Sequence, residues 1–459
     1  MGVPVTCIYS KMRVQYTGEK VLAMQLNKEI KFHEAIYFTL VGFIMLFPFL
    51  IYPIKDIYYS TFYKFNYFVI FILFLWLLVV FRLYKEKQYP NFFQSTGDKL
   101  AISFLTLALL STLFSHDPVT AFQGSYSKYH GFLSWFCYIS LFIFSYHFIP
   151  VNKLVKVVRM IVYTSFIVGI YGIIQHFFVG IIDSERKGAR FVSSWGLFDN
   201  PNHFGSYLVI MLILSLGLFL VANSWKQRSI NGVISCTLFV SLLYTVNRGG
   251  WIAAFIGTVI LTILVVWKNK HLWKPWLVLM VSFLFLFVIV NVTENNFVND
   301  RVASVGSDVN AVVTQAEQED QAGSNRWGIW KRTVPLISEY YLIGSGPSTF
   351  SNVFPYHSHD ERYAIDNSHN EYLEIGFSMG IPALIVYVAF ILTIVSVTFL
   401  KARQLKGNDE IFAYVLAAVI ISYSIKLVFN ISVIPVAPFF WLILGIAYKL
   451  PTTSRDFSN

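Results

Sequence analysis

The sequence predicts an all-α polytopic membrane protein of about 12 transmembrane helices with one large extracytoplasmic loop. Three observations point there. Of 459 residues, 56% are hydrophobic and only 13% are charged, against about 25% charged in an average soluble domain. Apolar runs long enough to cross a bilayer, which takes about 20 residues of helix, recur along the whole chain. One polar, aromatic stretch, residues 294–372, interrupts them and ends in Asp366-Asn367-Ser368-His369-Asn370-Glu371-Tyr372.

Taken in order, the first apolar runs fall near 35–54, 66–83, 99–115, 131–149, 156–178 and 203–222. The second half continues near 230–246, 250–267, 276–293, 373–400, 411–430 and 434–449. The turn Asn247-Arg248-Gly249-Gly250 is the weakest division, because one broken helix could replace two there. Twelve spans put both termini on one side. That side carries 22 Lys and Arg residues, the other 12, five of which sit in the long loop. Long loops count little for orientation and short basic loops stay inside, so the termini are expected in the cytoplasm and the long loop outside. The resulting organisation is a cytoplasmic N-terminal tail (1–34), helices one to nine (35–293), the extracytoplasmic loop (294–372), helices ten to twelve (373–449) and a cytoplasmic tail (450–459). The first 34 residues are polar and basic with no apolar core of a signal peptide, so the first span is expected to direct insertion.

The formal net charge of +10 is accounted for by cytoplasmic basic loops, and a nucleic-acid partner is not expected. Cys7, Cys137 and Cys236 have neither metal-site nor disulfide spacing. Lys426 lies within an apolar run. It is either a functional group or a side chain that snorkels to the interface.

Chemistry-bearing residues gather on the expected outer side. Asn200 before Pro201 is a helix cap with proline at the first helical position. Such an N-terminus attracts anions, and Arg190 lies ten residues upstream. Arg248, held between two apolar runs by glycines, should face a cavity or the surface. Trp327, Trp330, Val334 and Leu336 or Ile337 recur at helical spacing, which predicts an amphipathic helix lying on the membrane with Arg326 near its start. Gly344-Ser345-Gly346 reads as a turn, with no third glycine at dinucleotide-binding spacing. Ser368 and Glu371 form a capping-box pattern that puts His369 at the first helical position. There the imidazole should stay neutral and able to accept a proton. Each of these features alone also fits an ordinary cap, turn or interfacial side chain. His357-Ser358-His359-Asp360-Glu361 invites a metal check, but no second ligand pair accompanies it and no metal is expected.

The ordered series resembles the O-antigen ligase and polymerase superfamily, the Wzy/WaaL-type membrane glycosyltransferases. It runs from Asp117-Pro118, Gly124 and Tyr129-His130-Gly131 through Arg190, Asn200-Pro201-Asn202 and Arg248-Gly249. Arg326-Trp327, Trp330, Gly344, Gly346 and His369-Asn370-Glu371-Tyr372-Leu373 complete it. The resemblance implies a GT-C-like enzyme of the bacterial cytoplasmic membrane, acting at its outer face without metal, nucleotide sugar or other cofactor. The donor would be a glycan on undecaprenyl diphosphate, and the acceptor a glycan, a lipid or a protein hydroxyl. It places His369 as the catalytic histidine with Arg326 beside it, and Arg190, Arg248 and Asn202 on the diphosphate. The resemblance does not separate polymerase from ligase. Two rival readings remain: a twelve-helix transporter or flippase of lipid-linked glycan, and a non-catalytic scaffold. A transporter predicts charged groups near the midplane and two related halves; here only Lys426 is of that kind and the halves differ.

Overall fold

A computed structural model describes residues 31–51, 60–86, 92–126, 128–182, 193–316, 319–354 and 365–452. Arg190 and the His357–Glu361 segment lie outside the described residues. Within them the chain is helical and has no strand. It is an all-α polytopic membrane protein.

The elements are α1 (Lys31–Phe49), α2 (Ser60–Glu86), α3 (Thr96–Leu113), α4 (Pro118–Gln123), α5 (Phe132–Phe148) and α6 (Leu154–Ile182). They continue with α7 (Pro201–Leu220), α8 (Trp225–Tyr244), α9 (Arg248–Lys268), α10 (Trp273–Thr293) and α11 (Phe297–Val313). The chain ends with α12 (Arg326–Glu339), α13 (Phe350–Val353), α14 (Glu371–Ser378), α15 (Gly380–Ala402), α16 (Asn408–Lys426) and α17 (Ala437–Thr452). Nine helices among the described residues are long and apolar enough to cross a membrane. Helices α5 and α17 are apolar but shorter, and α8 opens on the polar run Lys226-Gln227-Arg228. Among the described residues the predicted apolar runs are helical, the run 373–400 as two helices, although not all twelve have the length and composition of a span.

Burial orders the bundle. The apolar window of α7 is 94% buried and that of α16 is 78% buried, whereas α2 and α10 reach 22% and 28%. A helix that is apolar all round and also enclosed is a core helix. So α7 and α16 are central, with α17 packed beside them and α5 against α17, and α2 and α10 present their apolar side chains outward. Close approach depends on small residues. A Cβ at Gly445 of α17 would overlap Ser145 of α5, and one at Gly217 of α7 would overlap Val415 of α16.

The long stretch between the apolar runs is not featureless: α11, α12 and α13 lie in it. Helix α12 does not leave its apolar face free, as an interfacial helix would. Ile329, with Leu336, Ile337 and Tyr340 around it, packs on Phe350, Phe354 and Phe377 in a small separate core. It is α11 that keeps apolar side chains exposed, Val302, Val309 and Val313 among them. The predicted span 373–400 is broken into α14 and α15 at Met379 and Gly380. Gly380 has φ +86°, and the segment 341–346 docks into the break. Ile381 donates to the Tyr341 carbonyl, Ser345 to Phe377 and Gly346 to Ser378. Gly344 (φ +84°) and Gly346 (φ +113°) supply the left-handed turns, and Ser115 locks Ser345 from the α3 side at 2.7 Å. The Gly-x-Gly pattern is thus a docking turn, as its sequence suggested.

Candidate functional site

One end of the bundle collects the chemistry. Its scaffold is built by polar residues that the loop sequences supply. Gln175 of α6 accepts hydrogen bonds from the N–H groups of Trp195 (2.9 Å) and Gly196 (2.7 Å), fixing the segment that leads into α7. The Asn200 side chain caps α7 by accepting from the Asn202 N–H, and the Asn247 side chain caps α9 by accepting from the Gly250 N–H. The two caps are tied together, since Asn247 also donates to the Asn202 carbonyl at 3.1 Å. Asn430 joins α7 to α14, donating to Ser206 while its carbonyl accepts from the Glu371 N–H. These bonds bring the starts of α7, α9 and α14 together.

His369 is not the first helical residue. Asn370 is the true cap, its side chain accepting from Tyr372 and Leu373. His369 precedes it in the left-handed region (φ 52°), braced by a bond from its N–H to Asn367. The capping-box expectation fails because its two side chains are used elsewhere. The Ser368 hydroxyl donates to the Asn370 carbonyl, and the Glu371 carboxylate accepts from the Ser432 hydroxyl and N–H. Neither ring nitrogen of His369 has a hydrogen-bond partner among the described residues. Burial, then the nearby charges of Lys128 and Arg326, push its pKa down to about 3. The expected neutral imidazole is present, but for these reasons rather than a helix dipole.

Arg326 begins α12 beside it. Its guanidinium makes no ion pair or hydrogen bond among the described residues, and burial together with the charge of Arg248 lowers its pKa. Arg248 is differently placed: it pairs with Asp308 of α11 at 2.6 Å and donates to Ser304 and Ser324. Both arginines line a cavity of about 330 Å³. Its walls come from α9 (Gly249, Ile252), α11 (Val305, Val309, Val312, Val313), α12 (Trp327, Trp330) and Phe429. Trp330 also connects the cavity to the histidine, because its indole N–H donates to the Ser368 carbonyl at 3.0 Å.

Asn202 sits in the first turn of α7, close by. The expected anion site of unpaired N–H groups is not there: Asn200 accepts from both Asn202 and His203. What Asn202 offers is its half-buried side-chain amide, which has no partner among the described residues. The structure thus brings together His369, Arg326, Arg248 and Asn202. Lys426 does not snorkel. It is fully enclosed, its amine has no hydrogen-bond partner among the described residues, and it lies near Arg326 one residue before the turn that carries Phe429. The segment Asp117–Gly131 is structural. Asp117 caps α4, and a Cβ at Gly124 would overlap the His130 backbone. The segment also carries Lys128, which pairs with Asp366 at 2.9 Å.

Sequence reasoning missed two parts of the site. The valine wall of α11 was read as loop. The pair Asp199–His203 (2.6 Å) was passed over, although its i,i+4 spacing was visible. Among the described residues no group of three or more His, Cys, Asp or Glu side chains could hold a metal ion.

Residues 233–388, from within α8 to within α15, match the family model of the O-antigen ligases. Over this region the chain is similar to the O-antigen ligases. The matched region contains Arg248, Arg326 and His369, and stops short of Asn202 and Arg190. The match supports a glycosyltransferase-like enzyme of polysaccharide biosynthesis acting on lipid-linked glycans. No curated protein matches the chain.

Proposed function

We propose that the protein transfers a glycan from undecaprenyl diphosphate to a hydroxyl of a second glycan or lipid, at the outer face of the bacterial cytoplasmic membrane. The cavity is the observation that carries this reading: an apolar wall for an isoprenoid chain, with two guanidinium groups, beside an imidazole that has no partner. Apolar and doubly cationic chemistry in one space fits a lipid diphosphate better than a sugar alone. The His369 ring accepts the proton of the attacking hydroxyl. Its oxygen bonds to the anomeric carbon, the bond from that carbon to the phosphate oxygen breaks, and the electron pair leaves on the diphosphate. Arg326 and Arg248 hold the charge that grows there, the work a metal ion does in other transferases, and Asn202 with Arg190 completes the diphosphate site. The outer-face assignment rests on the distribution of Lys and Arg among the short loops.

The test is the profile of lipid-linked glycans, by mass spectrometry, in a strain lacking the protein and complemented with His369→Ala or Arg326→Ala. Both variants should insert normally and fail to restore transfer. Single repeats that accumulate identify a polymerase, and full-length chains a ligase. Normal product in both variants removes the site proposed.

A further inference from the structure

The start of α7 holds a second imidazole, His203, in an arrangement the transfer step above does not use. Its Nδ1 lies 2.6 Å from Asp199 Oδ1. Asp199 is itself fixed from α2, where the Thr61 hydroxyl donates to its Oδ2 at 2.6 Å. A carboxylate on Nδ1 sets the tautomer and leaves Nε2 as the basic nitrogen. Only Nδ1 has a partner among the described residues. A positive charge on this ring is felt at His369.

We propose that the Asp199–His203 pair is the outlet for the proton that His369 removes from the acceptor hydroxyl, a role that rests on the glycosyl-transfer reading above. The two imidazoles have opposite surroundings. His369 faces Arg326 and Lys128, and the carboxylate that acts on its ring, Asp366, is engaged by Lys128. Imidazolium at this ring is disfavoured, so a proton taken there must leave. His203 faces the Asp199 carboxylate, while the α2 cation Lys64 lies behind the carboxylate and donates to the Leu197 carbonyl. Imidazolium at His203 gains an ion pair. The proton passes from the acceptor oxygen to His369, then to Nε2 of His203, and from there to water. No direct bond joins the two rings among the described residues, so a water or the acceptor itself bridges them. His203 acts through His369 and is a positioning residue in that sense.

The bland alternative is a staple that fastens the start of α7 to α2. Conservative variants separate the two. His203→Asn keeps an amide donor near the Nδ1 position, and Asp199→Asn keeps an acceptor for it, so a staple survives in both. The assay is glycan transfer by the purified full-length protein, with lipid-linked glycan extracted from membranes of a strain that lacks it. The proposal expects kcat to fall by about 100-fold or more in each variant, from the lower end upward of what a lost proton-transfer group costs. KM for the glycan donor should move less than about twofold, and added imidazole should restore rate to His203→Ala. Wild-type rate in both conservative variants overturns it. Should either lose its fold, Thr61→Val frees one carboxylate oxygen without touching the pair; an intermediate fall in kcat at unchanged KM supports the proposal, and an unchanged rate overturns it. Loss of transfer in His369→Ala and Arg326→Ala alongside intact His203→Asn sinks this proposal alone. Transfer that persists in His369→Ala sinks the reading beneath it.

Discussion

Replacing Arg326 should weaken binding of a lipid diphosphate far more than its position at the cavity edge suggests, because its charge is the uncompensated one. Arg248 already spends its charge on Asp308 at 2.6 Å, and Arg326 has no counter-ion among the described residues. Two unit charges about 4 Å apart in a medium of effective dielectric constant near 20 attract by about 4 kcal/mol, and solvent at the cavity mouth reduces this. Arg326→Ala is therefore expected to cost about 2–4 kcal/mol, ~30- to 900-fold in Kd. The converse change should help. Asp308→Asn releases the Arg248 charge toward the ligand and should tighten binding by about 1 kcal/mol, ~5-fold. Farnesyl diphosphate is a suitable short probe, because Trp327 and Trp330 line the cavity and their fluorescence reports its occupancy. The affinity should fall with added salt in wild type and less steeply in Arg326→Ala. Wild-type affinity in Arg326→Ala, or weaker binding in Asp308→Asn, refutes the argument.

Further expectations follow from single features. Burial holds both His130 and His369 near pKa 3, far below the ordinary value of 6.5. The unfolded chain takes up protons below about pH 6.5 that the folded protein refuses until about pH 3, so stability falls as pH drops through that window. The slope is at most about 1.4 kcal/mol per pH unit for each group; thermal unfolding at pH 7.5 and 5.5 measures it, and His130→Phe should flatten it. Gly346→Ala places a Cβ against Ser115 at φ +113°, where L residues are strained. It should cost about 2–4 kcal/mol, seen as poor yield and a lowered Tm, and a normal Tm means the docking turn is dispensable. Lys426→Met removes an enclosed amine that has no partner and should raise the Tm of the ligand-free protein by the equivalent of about 1–3 kcal/mol. A lower Tm means that the amine has a partner that stabilises it.

The fold was legible because a bilayer imposes one pattern on every span. Length and apolarity place α6, α7, α9 and α10 within a few residues of where the sequence put them. They do not place the break at Gly380, which is set by the 341–346 segment docking from a different part of the chain. They do not reveal α11 either, whose valines read as loop because its other face is polar. The site shows the same division. His369, Arg326 and Arg248 could be picked out as residue types at the starts of apolar runs. Their partners could not: whether a guanidinium is neutralised depends on Asp308, 60 residues from Arg248. The wrong cap at His369 has this cause too. Ser-x-x-Glu is a local pattern, and Glu371 was taken by Ser432, 61 residues away.

This non-local pairing bears on why the site holds so much positive charge. Arg326 lies within electrostatic reach of both Arg248 and Lys426, and Asp308 is the only carboxylate paired with any of the three among the described residues. Burying cations together lowers stability, and a fold selected for stability alone would place carboxylates or apolar residues there. The Lys128–Asp366 pair on the far side of His369 shows that this end of the bundle does pair its charges where no ligand is expected. Arg326, unpaired among the described residues, lines the cavity together with Arg248. An arriving dianion removes their mutual repulsion as it binds, so part of its affinity is strain already present in the empty protein. Such a site discriminates by charge first: a neutral glycan relieves nothing, and a lipid monophosphate relieves less than a diphosphate. Under the transfer proposed above, that ranking holds the donor and keeps the product lipid, still carrying the diphosphate, until the transferred glycan has left.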